Sequence, residues 1–193
     1  MSYELVVIGT SAGGLNALQT ILSRLSPEFN LPIVIVQHRL PVADEFMVFT
    51  LQESCHLQVK EADQGDWIEP GWIYLAPANY HLLVERNKQL SLSIDEKVCY
   101  SRPSIDVLFE TAADAYENRL MGIILTGANK DGTDGMIKIK EKGGLNIAQE
   151  PKTAEVNVMP LAPIERGVVD KVLSLQEIAH YLNRIVKEEE HHV

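Results

Sequence analysis

The sequence contains repeated runs of apolar, mostly β-branched residues, and these runs constrain the fold more than any other feature. They are ELVVI (4 to 8), PIVIV (32 to 36), WIYLA (72 to 76), LMGIIL (120 to 125), LNIAQ (145 to 149) and VVDKVL (168 to 173). Continuous apolar runs of this length are typical of strands that are buried on both faces of a sheet.

Segments with helical spacing of apolar residues lie between several of these runs. One contains Leu15, Leu18, Ile21, Leu22 and Leu25, and another, which begins after a predicted Ser104 cap, contains Ile105, Leu108, Phe109, Ala112 and Ala113. Repetition of strand and helix predicts an α/β fold, with a doubly wound, mostly parallel sheet flanked by helices.

Two further segments complete the predicted architecture. Two alternating runs within residues 80 to 94 flank a polar tetrapeptide and predict a β-hairpin, with Asn87 at positive φ. Apolar residues from 174 to about 186 predict a closing helix. We therefore expect one domain over residues 1–187 and a solvated tail over 188–193.

The composition excludes several classes of partner and location. Seventeen basic and 27 acidic side chains give a formal net charge of −10, which opposes binding to nucleic acid or to anionic lipid. The apolar runs are shorter than the roughly 20 residues that a membrane-spanning helix needs. No basic segment precedes the first run, so we expect no signal peptide and a cytoplasmic protein.

Cys55 and Cys99 lack the spacing of a disulfide framework or a zinc site.

The first predicted strand ends in Gly9-Thr10-Ser11-Ala12-Gly13-Gly14, which fits the G-x-S-x-G pattern of a nucleophilic serine in a tight turn. A phosphate-binding turn is the alternative interpretation. The G-x-G-x-x-G spacing and the lysine of a P-loop are both missing, and this absence disfavours a nucleotide-binding protein. The motif alone leaves both interpretations open.

Two other strand ends carry groups that could assist a serine nucleophile. His38 follows the second strand, and an imidazole can accept a proton from a hydroxyl near neutral pH. The loop after the strand at 120 to 125 contains Asp131 and Asp134, either of which could orient such a histidine. A helix cap or first-turn acid is the commoner role of aspartate here, and we assign it to Asp134. The carboxyl ends of parallel strands meet at one edge, so the combination predicts a hydrolase.

These residues belong to motifs through which the chain resembles the catalytic domain of the CheB chemotaxis methylesterases over almost its full length. The matching segments are GTSAGG, VQH, PGWIYLAPANYHLLV, RPSIDVLF, GIILTGANKDGTDGM and VMP. The resemblance implies hydrolysis of glutamate γ-methyl esters on chemoreceptors, with glutamine deamidation in some members, and no metal or cofactor. It implies Ser11 as nucleophile, His38 as general base and Asp131, rather than Asp134, as the orienting acid.

The resemblance also implies secondary site residues. The backbone N–H groups of Ala12 and Ala128 would hold the oxyanion, although Asn129 stands where the family commonly has the second glycine of a G-M-G turn. Arg102 and His81 match family positions near the cleft and are candidates for substrate contact or structural support. Apart from the resemblance, the acidic net charge suggests that binding to a glutamate-rich receptor surface needs a local positive rim, and we expect Arg39, Arg102 and Lys130 to form it.

The expected partners are the methylated cytoplasmic helices of chemoreceptors. Well-known family members carry an N-terminal receiver domain that blocks the cleft, whereas this sequence starts at its first catalytic strand. A constitutive esterase, control by a separate response regulator or methyltransferase, and a piece of a longer chain all fit the sequence. A non-catalytic receptor-binding module of the same fold remains the principal alternative.

Overall fold

The computed structural model describes residues 2–38 and 44–190 of the chain. Nine strands and six α-helices lie within these ranges. The strands are β1 (Leu5–Thr10), β2 (Ile33–Gln37), β3 (Gln58–Glu61), β4 (Trp72–Leu75), β5 (His81–Val84), β6 (Leu90–Ser93), β7 (Leu120–Ile124), β8 (Leu145–Gln149) and β9 (Lys171–Leu173). The helices are α1 (Gly14–Leu22), α2 (Asp44–Gln52), α3 (Ile105–Tyr116), α4 (Thr133–Glu141), α5 (Val158–Glu165) and α6 (Leu175–Glu190).

Seven of the strands form one parallel sheet in the order β3-β4-β2-β1-β7-β8-β9. The chain winds outward from β1 in one direction through β2 and in the other through β7. The order therefore reverses at β1, and a crevice opens outside the carboxyl ends of strands at such a reversal. The predicted α/β fold with a mostly parallel sheet is confirmed.

Each face of the sheet has its own hydrophobic core. Alternate residues of β1 and β2 point to opposite faces, as strand geometry requires. Val6, Ile8, Ile33 and Ile35 pack beneath α1, α2 and α6, whereas Leu5, Val7, Val34 and Val36 pack beneath α3, α4 and the β5–β6 hairpin. Because both of their faces are buried, these two strands occur in the sequence as continuous apolar runs.

The structure differs from the sequence prediction at several elements. The last run forms only the short edge strand β9, in which Val172 is 40% exposed, so it is not buried on both faces. The sequence prediction did not include helices α2 and α5 or the edge strand β3. The closing helix α6 extends to Glu190, beyond the predicted end near 186.

The hairpin is present, but its left-handed residue is Lys88 (φ 68°) and not the predicted Asn87. The Asn87 side chain accepts a hydrogen bond from the N–H of Gln89 at 3.1 Å. This local bond holds Asn87 in the turn, and the next residue completes the reversal of the chain. Among the described residues, no helix is long and apolar enough to cross a membrane.

Candidate active site

Ser11 and His38 follow neighbouring parallel strands at the same edge of the sheet. The last register pair of β1 and β2 joins Thr10 to Gln37, and the N–H of His38 donates to the carbonyl oxygen of Thr10 at 3.0 Å. The N–H of Ser11 donates at 2.9 Å to the carbonyl oxygen of Thr126, which lies just beyond β7. Adjacent strands run about 4.8 Å apart, so the candidate nucleophile and base lie on adjoining backbones.

His38 and Asp131, which are 93 positions apart in the sequence, are in direct contact. Nε2 of His38 lies 2.7 Å from Oδ2 of Asp131, and their side chains are 10% and 0% exposed. An ionised carboxylate only accepts hydrogen bonds, so Nε2 carries the proton and Nδ1 carries the lone pair of the neutral ring. The second nitrogen, Nδ1, lies 3.4 Å from the side-chain amide nitrogen of Asn129.

Asp131 is held at the N-terminus of α3 by donors from that helix. Oδ1 accepts hydrogen bonds from the Ser104 hydroxyl at 2.9 Å and from the N–H of Asp106 at 3.0 Å, and Oδ2 accepts one from the N–H of Ile105 at 2.7 Å. Ser104 also caps the helix, as predicted, by accepting from the N–H of Val107 at 3.5 Å. The start of α3 is therefore built around the carboxylate, with N–H groups that no preceding turn satisfies.

The pKa of Asp131 lies below the ordinary aspartate value. Burial raises this pKa, but the hydrogen bond from His38 and those from the N–H groups of Ile105 and Asp106 lower it by more. Asp131 is thus a carboxylate at neutral pH, and it can orient the imidazole and stabilise an imidazolium.

The Ser11 turn is tight and partly open to solvent. The N–H of Gly14 donates to the carbonyl oxygen of Ser11 at 2.9 Å, and Gly13 has φ 77°, a conformation that favours glycine. The Ser11 hydroxyl forms no hydrogen bond with any residue in the described ranges, so the structure brings together His38 and Asp131 but does not join Ser11 to His38. Such contacts often tighten only when substrate is bound.

Gln37 links the backbones of the candidate nucleophile and base. Its amide nitrogen donates to the carbonyl oxygens of Ser11, at 2.8 Å, and of His38, at 3.0 Å. A Cβ at position 14 would lie 1.9 Å from the Gln37 side-chain oxygen, so only glycine fits beside this bridge. Sequence reasoning missed the role of Gln37, because a glutamine that ends a strand carries no signal of what its amide contacts.

Two backbone N–H groups are available beside the serine. Ala12 and Ala128 are both exposed, and within the described part of the chain neither N–H donates a hydrogen bond. Thr126 ties their two loops together, since its hydroxyl lies 2.9 Å from the carbonyl oxygen of Ala12 and its own carbonyl accepts from Ser11. The arrangement is compatible with the oxyanion role that the sequence predicts for both residues, which stays a prediction.

The three residues suggested for substrate contact have different surroundings. His81 is 1% exposed, and its two ring nitrogens bond to the N–H of Ser104 at 3.2 Å and to the carbonyl oxygen of Glu96 at 2.9 Å. This environment corresponds to structural support and leaves no ring nitrogen for a substrate. Arg102 donates to the carbonyl oxygens of Ile94 and Asp95 and is partly exposed. Arg39 lies outside the described residues.

One group of described side chains has possible metal-ligand atoms within 4.8 Å of one another. It consists of Cys99, Asp106 and Asp131. Burial and the neighbouring carboxylates raise the pKa of the Cys99 thiol to about 11. Both oxygens of Asp131 already accept hydrogen bonds from His38 and α3. Each oxygen of Asp131 accepts two hydrogen bonds, which occupy its lone pairs, so Asp131 does not fit the role of a metal ligand.

The surroundings of the glycine-rich turn also disfavour the phosphate-binding alternative. A Cβ at Gly13 would lie 2.6 Å from a carboxylate oxygen of Glu155, so an acidic side chain lies beside the residue that precedes α1. A phosphate at that helix end would meet a like charge.

The chain is similar in sequence and in fold to known proteins. Residues 6–182 match the family model described as CheB methylesterase. A Leptospira interrogans protein named "Putative protein-glutamate methylesterase/protein-glutamine glutaminase" is 52% identical over 185 residues, with 96% of both chains covered. A Thermotoga maritima protein-glutamate methylesterase/protein-glutamine glutaminase is 38% identical, and the match covers 96% of this chain and 55% of that protein. The crystal structure of the Thermotoga maritima CheB methylesterase catalytic domain superposes with a TM-score of 0.91 at 37% identity, covering 96% of this chain and 100% of that one.

Proposed function

The chain belongs to the CheB methylesterase family, and we propose that it hydrolyses glutamate γ-methyl esters on chemoreceptor proteins and releases methanol. The observation that carries the proposal is the buried 2.7 Å contact between His38 and Asp131 beside the Ser11 turn. Relatives are also named protein-glutamine glutaminases. We extend the proposal to glutamine deamidation, because an amide passes through the same acyl-enzyme with ammonia as leaving group.

The proposed reaction is a two-step acyl transfer. Ser11 Oγ attacks the ester carbonyl carbon while Nδ1 of His38 takes the hydroxyl proton, and Asp131 stabilises the imidazolium through Nε2. The N–H groups of Ala12 and Ala128 bind the oxygen that becomes negatively charged. His38 then gives the proton to the departing methoxy oxygen, which leaves as methanol. A water molecule repeats the sequence and restores both Ser11 and the substrate carboxylate.

The partners in this proposal are the methylated cytoplasmic helices of a chemoreceptor, so we place the reaction in the cytoplasm. Lys130 is exposed beside the site, and with Arg39 and Arg102 it would supply positive charge to an acidic substrate surface. A separate response regulator or methyltransferase is a further candidate partner that would control access to the site.

The test is modification and turnover at Ser11. A fluorophosphonate should label Ser11 in the wild-type protein, and Ser11→Ala should abolish labelling and reduce methanol release from a methylated receptor fragment by about 10⁵-fold or more. The matched control is Ser23→Ala, since Ser23 is an exposed serine just after α1, and its activity should equal that of wild type. Unchanged turnover in Ser11→Ala would disprove the proposal. Heat stabilisation by a nucleotide, without labelling, would support the nucleotide-binding alternative.

A further inference from the structure

Asn129 lies directly beside the nitrogen of His38 that must accept the Ser11 proton. Its side-chain nitrogen is 3.4 Å from Nδ1 of His38, and the side chain is partly exposed at the mouth of the site. Because Nε2 of His38 donates to Asp131, Nδ1 is the acceptor of the neutral ring. The amide of Asn129 is therefore a donor aimed at the lone pair that acts as the base.

A second hydrogen bond sets which side of this amide faces His38 in the free protein. Oδ1 of Asn129 accepts from the N–H of Asp131 at 3.1 Å, two residues further along the chain. An amide whose oxygen bonds to a backbone N–H must present its NH₂ group on the opposite side. The NH₂ group thus faces His38, and this assignment follows from the hydrogen-bond pattern itself.

Two donors compete for one lone pair during the reaction. When Ser11 transfers its proton, Nδ1 becomes an N–H donor and can no longer accept from Asn129. At that moment the Ser11 Oγ–carbon bond has formed and the electron pair of the carbonyl π bond has moved to the substrate oxygen. In the proposed reaction the N–H of Ala128, the residue next to Asn129, binds this oxygen. The released NH₂ group of Asn129 would then have a negatively charged acceptor beside its own loop.

We propose that Asn129 is a catalytic residue whose side-chain NH₂ group turns from His38 to the substrate oxyanion and acts as a third donor beside the N–H groups of Ala12 and Ala128. The proposal rests on the proposed esterase function and deepens it. A side-chain amide that meets the oxyanion only in the transition state raises kcat without tightening substrate binding. The same amide occupies the lone pair of the base in the free enzyme.

Two substitutions separate the donor from the turn that Asn129 also stabilises. Asn129→Ser keeps a short side-chain oxygen that can accept from the N–H of Asp131 but removes the NH₂ group, and Asn129→Ala removes both. Asn87 offers a matched control, because its Oδ1 accepts from the N–H of Gln89 at 3.1 Å with the same spacing in the distant hairpin turn. We expect both Asn129 variants to lose about 10- to 100-fold in kcat at similar KM. Asn87→Ser should leave both constants unchanged.

The outcomes distinguish this proposal from the function on which it depends. If wild type releases methanol and Asn129→Ser retains its kcat within a factor of about two, the donor role is disproved while the esterase stands. If wild type neither turns over nor labels at Ser11, the proposed function itself fails. A structure of the fluorophosphonate adduct gives an independent reading, in which Nδ2 of Asn129 should lie within about 3.2 Å of the phosphonyl oxygen. An Nδ2 atom that stays against Nδ1 of His38 would overturn the proposal.

Discussion

Asp131 and Asp106 are buried carboxylates that lie close together at the N-terminus of α3, yet their pKa values are shifted in opposite directions. The pKa of Asp131 is lowered because hydrogen bonds from His38 and α3 outweigh its burial. Burial and the charges of Asp131 and Asp134 raise the pKa of Asp106 to about 7, against a single lowering hydrogen bond from the N–H of Gly135.

The difference shows that the number of donors, and not the location at a helix end, decides which carboxylate is charged. Asp131 accepts from a hydroxyl, two N–H groups and an imidazole, whereas Asp106 accepts from the N–H of Gly135 at 2.8 Å and lies 3.8 Å from the Cys99 thiol. Because these hydrogen-bond donors contact Asp131, the neutral form of the neighbouring Asp106 is favoured. One acid then serves the imidazole while the other ties α3 to α4.

The largest expected effect separates these two acids by activity. Asp131→Asn should lower kcat by about 10³- to 10⁴-fold, because an amide no longer holds the proton on Nε2 and cannot stabilise the imidazolium. Asp106→Asn, the matched control, keeps an oxygen for the N–H of Gly135 and should change kcat only a few-fold. Methanol release from a methylated receptor fragment measures both. Equal losses in the two variants would show that the acids share one role.

A smaller effect tests the donors that distinguish the two carboxylates. Ser104→Ala removes the hydroxyl that donates to Asp131 and caps α3, so we expect kcat to fall about 10-fold and the free energy of unfolding to fall by about 1 kcal/mol. Ser174 caps α6 in the same way, by accepting from the N–H of Glu177 at 3.4 Å, far from the carboxylate in the sequence. Ser174→Ala should therefore lower stability alone. An unchanged kcat in Ser104→Ala would show that Ser104 acts only as a helix cap.

The sequence predicted the parts of the fold that depend on a repeated local pattern. Strands β1, β2 and β7 are mainly apolar because both of their faces are buried, so their consecutive residues show the pattern in the sequence. Strand β3 was missed because it is a four-residue edge strand with an exposed first position. Helix α2 was missed as well. At the hairpin, the sequence indicated the turn, but the choice between Asn87 and Lys88 depended on a side-chain bond that composition does not reveal.

The candidate site was predictable to the extent that strand ends determine it. Ser11, His38 and Asp131 each follow a parallel strand, and sheet geometry alone brings such positions to one edge. The contacts of Ser104 and Asn129 with these residues arise from loops that fold back across 25 or more positions, or from side-chain rotation within one loop. No spacing rule encodes those contacts, so they required coordinates.

The remaining test of the comparison is a pair of opposite pH dependences in stability, with no change in activity involved. Because the folded pKa of Asp106 is raised, proton binding stabilises the fold fully below the ordinary aspartate pKa, and this contribution is lost as pH rises through about 7. The free energy of unfolding of wild type relative to Asp106→Asn should therefore decrease between pH 4 and pH 8, by on the order of 3 kcal/mol. Urea unfolding across this range measures the difference. Parallel curves for the two proteins would show that Asp106 is already ionised like an exposed aspartate.

Asp131 should give the reverse slope at lower pH. Its lowered pKa means that the ionised form stabilises the fold above the ordinary aspartate pKa, and that this contribution is lost as pH falls through the lowered value. Relative to Asp131→Asn, the wild-type free energy of unfolding should therefore increase with pH below about pH 4. A decrease in the same window would mean that burial outweighs the donors of α3. The carboxylate beside His38 would then be the neutral member of the pair.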